Sequence, residues 1–283
     1  GLSAEISALE EGQAILKNEN FIAAKADKER FNEGLTNGFK GFETISTDAP
    51  FDLIENNWEI FQKNGEQVKL DFELLTNGRE SQTLGHTNQQ FGQHPVFIEE
   101  GAQVECATIN TTDGPVYIGK NAVVMEGAMI RGPFALCDHA QVKMGTKIYT
   151  NTTIGPHSKV GGEINNSVFF GYANKAHDGF LGNSVIGEWC NIGAGSNNSN
   201  LKNNYDTVKV WSYGKKGFVS TGAQFCGLFM GDHSKCGINT MFNTGTTVGV
   251  SANIYGAGFP RTFIPSFSWG GALGTTTYRL DKA

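Results

Sequence analysis

The sequence predicts a mainly β protein, with a parallel β-helix of hexapeptide repeats over residues 96–283 and a small α/β segment over residues 1–95. Three observations support this fold class. From residue 96 onward an aliphatic side chain returns every six residues, and a small side chain follows four positions after it. The same part of the chain holds 28 of the 37 glycines. It shows almost no helical periodicity, whereas residues 1–95 do.

Residues 1–95 show the spacing of short helices and strands. Asn18–Asn20 is typical of a turn that leads into a short strand at Phe21–Ala24. The large apolar residues of Asp52–Phe61 and Glu66–Leu75 have helical spacing, and Asn77-Gly78 marks a helix end. The segment contains no Gly-rich phosphate loop and no motif of paired carboxylates. We therefore expect it to be the end of a larger domain.

The six-residue period of residues 96–283 is the strongest pattern in the chain. Its aliphatic positions are Ile118, Val124, Ile130, Leu136, Val142, Ile148, Ile154 and Val160, then Ile186 and Ile192, then Met230, Cys236, Phe242, Val248 and Ile254. In a β-helix each hexad forms one strand and one turn, and three hexads form a coil of about 18 residues. The aliphatic and small side chains point inward, so stability is a sum over neighbouring coils.

Two interruptions of the period are candidates for function, because loops on a rigid scaffold commonly carry it. The first interruption lies between Val160 and Ile186 and contains His177. The second, Asn197–Gly217, is a polar stretch too long for a coil corner. Histidine is the side chain that most often acts as a general base. On the residues alone His177 is therefore a candidate general base, and an ordinary surface histidine in a loop is the alternative.

The stretch Lys175–Gly195, together with Asn204-Tyr205-Asp206, resembles the acetyltransferase half of the GlmU-like bifunctional enzymes that make UDP-N-acetylglucosamine. The chain is most similar to the alternate Bacteroidetes-type form, over essentially its whole length. This resemblance implies a left-handed β-helix, normally a homotrimer, with acetyl-CoA bound between neighbouring helices as co-substrate. The implied reaction is N-acetylation of an amino-sugar phosphate such as glucosamine-1-phosphate.

The resemblance also implies roles for individual residues. His177 matches the family's catalytic base, and Asn191 matches its sugar-binding asparagine. Ala194 matches the alanine whose backbone contacts the CoA arm. Asn204 and Tyr205 match the pair that holds the acetyl end of acetyl-CoA, displaced here by a four-residue insertion.

Several positions depart from the family's pattern. Phe180 replaces the sugar-binding tyrosine, and Asn165 replaces the phosphate-binding lysine. The family's GPFA segment recurs as Gly132–Ala135 at a different spacing from the histidine, and the arginine that follows it in the family is absent; Arg131 is the candidate substitute for that arginine. Arg261 is a further phosphate candidate. Lysines in or beside the long loop are additional candidates for the CoA phosphates: Lys202, Lys209, Lys215 and Lys216.

Residues 1–95 resemble only the back portion of the family's nucleotidyltransferase domain. That domain's Gly-rich nucleotide loop and metal-binding carboxylates are not in this sequence. We therefore expect nucleotidyltransferase activity only in a longer protein, of which this chain would be a fragment.

Composition excludes several classes of protein. The net charge of −6 argues against nucleic-acid binding. No apolar run approaches the ~20 residues of a membrane helix. The five cysteines form no CxxC or metal-finger spacing, and Cys190 and Cys236 fall on inward hexad positions. Buried free thiols predict a reducing compartment and a cytoplasmic location.

Two alternative functions remain open from the sequence. One is a non-catalytic trimeric scaffold for a nucleotidyltransferase, favoured by Phe180 and Asn165. The other is a zinc lyase similar to the γ-class carbonic anhydrases. His139 and His157 are 18 residues apart and should stack at one corner, and His233 holds the same hexad position. The close histidine pair of that family is missing, so no metal is expected.

Overall fold

The computed structural model describes residues 2–18 and 20–278. The chain divides into two compact units, Gly1–Ile54 and Glu55–Ala283. Sequence analysis divided the chain at residues 95/96, where the composition changes. The stretch between these two divisions contains the long helix and the first strand of the β-helix, and both belong to the second unit.

The first unit contains a three-stranded sheet and two helices. Its elements are α1 (Leu2–Ser7), β1 (Gln13–Lys17), β2 (Asn20–Lys25), α2 (Lys28–Asn37) and β3 (Glu43–Ser46). Strand β1 is central, antiparallel to β2 and parallel to β3. Helix α2 begins at Asp27, whose side chain accepts a hydrogen bond from the backbone N–H of Arg30 at 2.9 Å. The strand predicted at Phe21–Ala24 is confirmed within β2.

The second unit contains one long helix and many short strands. The helix is α3 (Asn57–Thr76). The strands are β4 (Gln89–Phe91), β5 (Val96–Ile98), β6 (Gln103–Val104), β7 (Thr108–Asn110), β8 (Val116–Ile118), β9 (Val123–Val124), β10 (Met129–Arg131), β11 (Phe134–Leu136), β12 (Gln141–Val142), β13 (Lys147–Ile148), β14 (Thr152–Ile154), β15 (Lys159–Val160), β16 (Glu163–Asn165), β17 (Val168–Phe169), β18 (Asn174–Lys175), β19 (Phe180–Gly182), β20 (Val185–Ile186), β21 (Asn191–Ile192), β22 (Asn197–Asn198), β23 (Lys209–Ser212), β24 (Gly217–Ser220), β25 (Leu228–Met230), β26 (Lys235–Cys236), β27 (Met241–Phe242), β28 (Thr246–Val248), β29 (Asn253–Ile254), β30 (Phe263–Ile264), β31 (Ser268–Gly271) and β32 (Gly274–Thr277).

Apart from the antiparallel pair β23–β24, these strands form the three faces of a parallel β-helix, which confirms the predicted fold class. The first face contains β5, β8, β11, β14, β17, β20, β25, β28 and β30. The second contains β6, β9, β12, β15, β18, β21, β26, β29 and β31, with β32 added antiparallel. The third contains β4, β7, β10, β13, β16 and β19, and the pair β22–β27 lies beside β19. From β5 to β29 the chain visits the faces in this order, and after β29 it returns directly to the first face with β30.

The register stacks equivalent hexad positions on one another, as the period predicts. On the first face Ile118 pairs with Leu136, and Leu136 pairs with Ile154, each 18 positions further along the chain. These aliphatic side chains are fully buried, and so are small residues such as Ala122 and Ala140. The hydrophobic core therefore runs along the axis of the β-helix.

One coil is shorter than the others. On the second face Val142 pairs with Val160, which is 18 positions away, but Val160 pairs with Lys175, which is only 15 away. Part of the shortening lies in the turn Gly161-Gly162, which separates β15 from β16 by two residues. The turn after β18 has four residues, 176–179. This change in coil length is the physical cause of the first interruption of the period.

Helix α3 packs along the outer surface of the first face. Phe61 is buried against Val185 and Phe229. The side-chain amide of Asn64 donates to the carbonyl of Asn151 at 2.8 Å and accepts from Thr153 Oγ1 at 2.9 Å. The predicted helical segment Glu66–Leu75 lies wholly within α3, whereas of Asp52–Phe61 only residues 57–61 are helical, because the helix begins after Asn56. No helix in the described part of the chain is long and apolar enough to cross a membrane.

Candidate functional site

His177 lies in the turn that joins β18 of the second face to β19 of the third face. Its side chain is exposed. The turn is fixed to the next coil, because the Gly195 N–H donates to the carbonyl of Asp178 at 2.9 Å. Gly179 has φ of 123°, and a Cβ there would collide with the carbonyl of Ser196. The imidazole is therefore presented to solvent on a backbone with little freedom to move.

Lys175 lies two residues before His177 and points into the core. Its side chain is 2% exposed and occupies the inward position that Val160 holds in the previous coil. The ammonium donates to the carbonyls of Gly161 and His177, each at 2.9 Å. Burial lowers the pKa of Lys175 to about 8. Lys175 was not identified in the sequence analysis above. The feature that could have revealed it is a charged residue at an inward position that holds an aliphatic residue, Val160, in the previous coil.

Three residues predicted to bind the acceptor share the outer surface of the third face. Ile130, Ile164 and Leu181 are the inward residues of β10, β16 and β19. Because side chains alternate along a strand, Arg131, Asn165 and Phe180 point outward from the same strands. The structure thus brings these three predicted residues to one surface, which borders the turn of His177.

The third face carries a shallow groove around Arg131. The groove has a volume of about 390 Å³ and is lined by Phe91, Met129, Lys147 and Tyr149 as well as Arg131. Its walls are mostly apolar, with two cationic side chains. Tyr149 lies on the coil between those of Arg131 and Asn165, so about two strand spacings of ~4.8 Å separate the latter two.

Phe180 forms the surface next to His177. Its ring lies over Gly182, where a Cβ would approach the ring to 2.5 Å. Its backbone N–H donates to Asn197 Oδ1 at 2.8 Å. The ring is partly exposed and offers an apolar contact, whereas a tyrosine there would add a hydroxyl donor.

Asn191 lies on a different face from Phe180 and Asn165. It points outward from β21 of the second face, and its Oδ1 accepts from the Asn174 side chain at 2.8 Å. The two faces meet at the corner that carries His177. Asn191 and Phe180 therefore flank this corner from opposite sides.

Ala194 lies in the turn directly next to that of His177. The same turn contains Gly195, which bonds to Asp178, and the carbonyl of Ala194 accepts from the Asn239 N–H at 2.7 Å. Its backbone is thus held between two neighbouring turns, on the same corner as His177.

Asn204 and Tyr205 lie in the long loop that leaves the third face after β22. Asn204 Nδ2 bonds to Asp206 Oδ2, and the Gln224 side chain donates to the carbonyl of Tyr205 at 2.9 Å. The Tyr205 ring is exposed. The loop leaves the third face at the corner opposite to that of His177, and a three-residue strand of about 10 Å separates the two corners.

Two clefts lie near this loop. One, of about 430 Å³, is lined by Lys202, Asn204, Asn243 and Thr262 among others. The other, of about 450 Å³, is lined by Arg261 and the chain around β30 and β31. Arg261 adjoins Thr262, so the two cationic candidates Lys202 and Arg261 line neighbouring clefts.

The histidines weighed for a zinc site stack on one another as predicted. The rings of His139 and His157 are 4.8 Å apart and nearly parallel. Tyr172, Trp189 and His233 continue the stack along the corner between the first and second faces. Among the described residues no group of three His, Cys, Asp or Glu side chains is placed to hold a metal ion.

The predicted thiols at inward positions are buried. Cys190 and Cys236 are both free and buried in the core of the β-helix. Burial raises the pKa of the Cys190 thiol to about 12. Neither thiol is suited to act as a nucleophile, since the thiolate is the reactive form.

Comparison with known proteins confirms the resemblance found in the sequence. Residues 1–80 match a family model described as sugar nucleotidyl transferase. The chain is 30% identical over 152 residues to the bifunctional sugar-1-phosphate nucleotidylyltransferase/acetyltransferase of Sulfurisphaera tokodaii, covering 47% of this chain and 37% of that protein.

Two further relatives match shorter stretches. Identity to the bifunctional protein GlmU of Methanocaldococcus jannaschii is 31% over 110 residues, covering 39% of this chain and 25% of that protein. Identity to the uncharacterized acetyltransferase YaiX of Escherichia coli (strain 536) is 26% over 142 residues, covering 50% of this chain and 61% of the relative. The matches span between a quarter and three fifths of these relatives.

Proposed function

We propose that this chain transfers the acetyl group of acetyl-CoA to the amine of an amino-sugar phosphate, with His177 as general base. One observation carries the proposal. An exposed histidine on a rigid corner borders a surface with an apolar ring at Phe180, an amide at Asn165 and a cation at Arg131. The named activities of the relatives, which include acetyltransferase, support it.

The acceptor would bind on the third face. Phe180 would pack against the apolar side of the sugar ring, and Asn165 would bond to a hydroxyl. Arg131 and Lys147 line the groove beyond them and would attract the phosphate. Asn191 would contact the sugar from the second face, across the corner of His177.

The reaction needs a base and an oxyanion donor. The amine nitrogen of the sugar phosphate attacks the thioester carbonyl while His177 takes a proton from that amine. A C–N bond forms and the C–S bond of acetyl-CoA breaks. The proton then passes to the departing CoA sulfur. The oxyanion would be stabilised by a backbone N–H or by the Tyr205 hydroxyl.

Acetyl-CoA would lie between two copies of the chain in a homotrimer. Within one chain His177 and Tyr205 are at opposite corners of the third face, so a neighbouring copy would supply the second half of the site. Ala194 would contact the CoA arm, and Lys202 and Arg261 would meet its phosphates.

A second function is favoured by two residues. Phe180 lacks a hydroxyl, and Asn165 lacks the charge that would hold a phosphate. A β-helix that carries a nucleotidyltransferase without chemistry of its own would tolerate both changes. Acetyl-CoA binding and turnover separate this scaffold function from the proposed enzyme.

The test is thiol release from acetyl-CoA with glucosamine-1-phosphate as acceptor. We expect release by the wild-type protein and a loss of about 10²–10⁴-fold in His177→Ala, which removes the base. His94→Ala, an exposed histidine outside the site, is the matched control and should keep full activity. Calorimetric binding without release would indicate another acceptor. If the protein neither binds acetyl-CoA nor releases thiol, the proposal is overturned and the scaffold function is favoured.

A further inference from the structure

A lysine inside the core of a β-helix needs a reason. The inward column of the second face contains Val124, Val142, Val160, Lys175, Cys236 and Ile254, all buried. A buried ammonium carries a desolvation cost that an aliphatic side chain would not. Lys175 offsets part of this cost with two hydrogen bonds, and both acceptors are backbone carbonyls of turns.

Those two carbonyls belong to neighbouring coils at one corner. Gly161 lies in the two-residue turn of the short coil, and His177 lies in the four-residue turn that follows it. Both carbonyls lie in turns, outside the strands. The ammonium therefore joins the turn of His177 to the turn beneath it.

The approach of these turns is close. A Cβ on Gly161 would collide with the carbonyl oxygen of Ala176 and lie 3.2 Å from the N atom of His177. The turn of His177 is thus held by Gly161 on one side and by the bond from Gly195 to Asp178 on the other. Lys175 supplies the contact from inside the core, at the residue that carries the imidazole.

We propose that Lys175 is a positioning residue for acyl transfer, whose buried ammonium fixes the backbone carbonyl of His177 and so aims the imidazole at the acceptor amine. The inference rests on the proposed function for its catalytic part. Lys175 touches neither substrate, so it acts only through His177. Its lowered pKa is compatible with this role, because a neutral amine keeps two N–H donors for the two carbonyls.

The test compares Lys175→Met, which keeps the shape of the side chain, with Ile254→Met in the same column. We expect kcat of Lys175→Met to fall about 10- to 100-fold, because a displacement of about 1 Å in a catalytic group can lower the rate by up to about 100-fold. The KM values for acetyl-CoA and the sugar phosphate should stay within about 3-fold, because neither substrate contacts Lys175. Ile254→Met should keep wild-type kcat. A residue with only a structural role would not produce this split.

Hydrogen exchange provides a readout that does not depend on activity. In folded Lys175→Met the amides of Gly161 and Gly195, which donate to the carbonyls of Lys175 and Asp178, should exchange faster, while those of strand β12 stay protected. Lys175→Gln keeps an N–H donor, so its kcat and its exchange rates should lie between those of the wild type and Lys175→Met. If Lys175→Met does not fold, Lys175→Gln takes its place in both experiments.

The outcomes distinguish this inference from the proposed function. An unchanged kcat in Lys175→Met, in a protein that is active as wild type, overturns the positioning role. If the wild-type protein is inactive, the proposed function fails and exchange decides alone. Faster hydrogen exchange of the amides that bond to this turn would then still show that Lys175 fixes the turn of His177. Unchanged exchange would overturn that conclusion.

Discussion

Lys175 and His177 are separated by one residue but lie on opposite sides of the β-helix wall. The Lys175 side chain is in the core, and the His177 side chain is in solvent. The two are joined by one hydrogen bond, from the ammonium to the His177 carbonyl. The proposed site thus consists of an exposed histidine and a buried cation that bonds to the backbone of that histidine.

The buried cation predicts a pH dependence of stability. Burial lowers the pKa of Lys175 to about 8, and a lysine in the unfolded chain titrates near 10.5. Between these values the unfolded chain binds a proton that the folded chain does not, so stability rises with pH. Below pH 8 both states are protonated, and the folded state carries the full cost, on the order of 3 kcal/mol.

The prediction is tested on the difference between the wild type and Lys175→Met. In urea unfolding, the wild type should gain stability relative to the variant between about pH 8 and 10.5. Buried thiols such as Cys190 and Cys226 lower the stability of both proteins over the upper part of this range, so their contribution cancels in the difference. Cys236 interacts with Lys175 and does not cancel, so both proteins carry Cys236→Ala in this comparison. Parallel pH curves for the two proteins would show that Lys175 is not buried as a cation.

At the scale of single elements, the turn 176–179 depends on Gly179. Its φ of 123° is unfavourable for other residues, and a Cβ would meet the carbonyl of Ser196. Gly179→Ala should therefore lower the free energy of unfolding by about 2 kcal/mol or more and reduce thiol release. Gly214→Ala is the control, since Gly214 has open space around it. Equal thermal stability of the two variants would contradict the described turn.

Helix α3 covers the first face through its apolar side. Phe61 is 1% exposed and its ring lies 6.3 Å from that of Phe229, whereas Leu74 on the same helix is 77% exposed. Phe61→Ala should cost about 3–5 kcal/mol, and Leu74→Ala close to nothing. Urea unfolding followed by tryptophan fluorescence would measure both. A small effect at Phe61 would mean that α3 does not pack on this face.

The sequence predicted these elements to different degrees. The hexads were predictable because each strand and turn is encoded within six residues, as Ile118, Leu136 and Ile154 show. The packing of α3 on the first face was not predictable, because it depends on outward residues of that face, such as Phe229, that lie far along the chain from the helix. Lys175 was missed because the short coil shifts the period by three residues.

Across the whole molecule, the predicted site residues do not all lie together. Arg131, Asn165 and Phe180 lie on one face, but only Phe180 is next to the turn of His177, because Arg131 and Asn165 end their strands at the opposite corner. The separation of His177 from Tyr205 could not be predicted from motif order, because two neighbours in a sequence motif can lie at different corners of a coil. A site completed by a second copy of the chain follows from this geometry and remains a proposal.

Product analysis by mass spectrometry decides whether this chain acetylates an amino-sugar phosphate. Wild-type protein is incubated with acetyl-CoA and glucosamine-1-phosphate, and the sugar phosphate is analysed by mass spectrometry. We expect a product that carries one acetyl group on its amine with the wild-type protein, and no such product with His177→Ala. If calorimetry shows that the folded wild-type protein does not bind acetyl-CoA, and no acetylated amino sugar phosphate forms, the account of an acetyltransferase is contradicted.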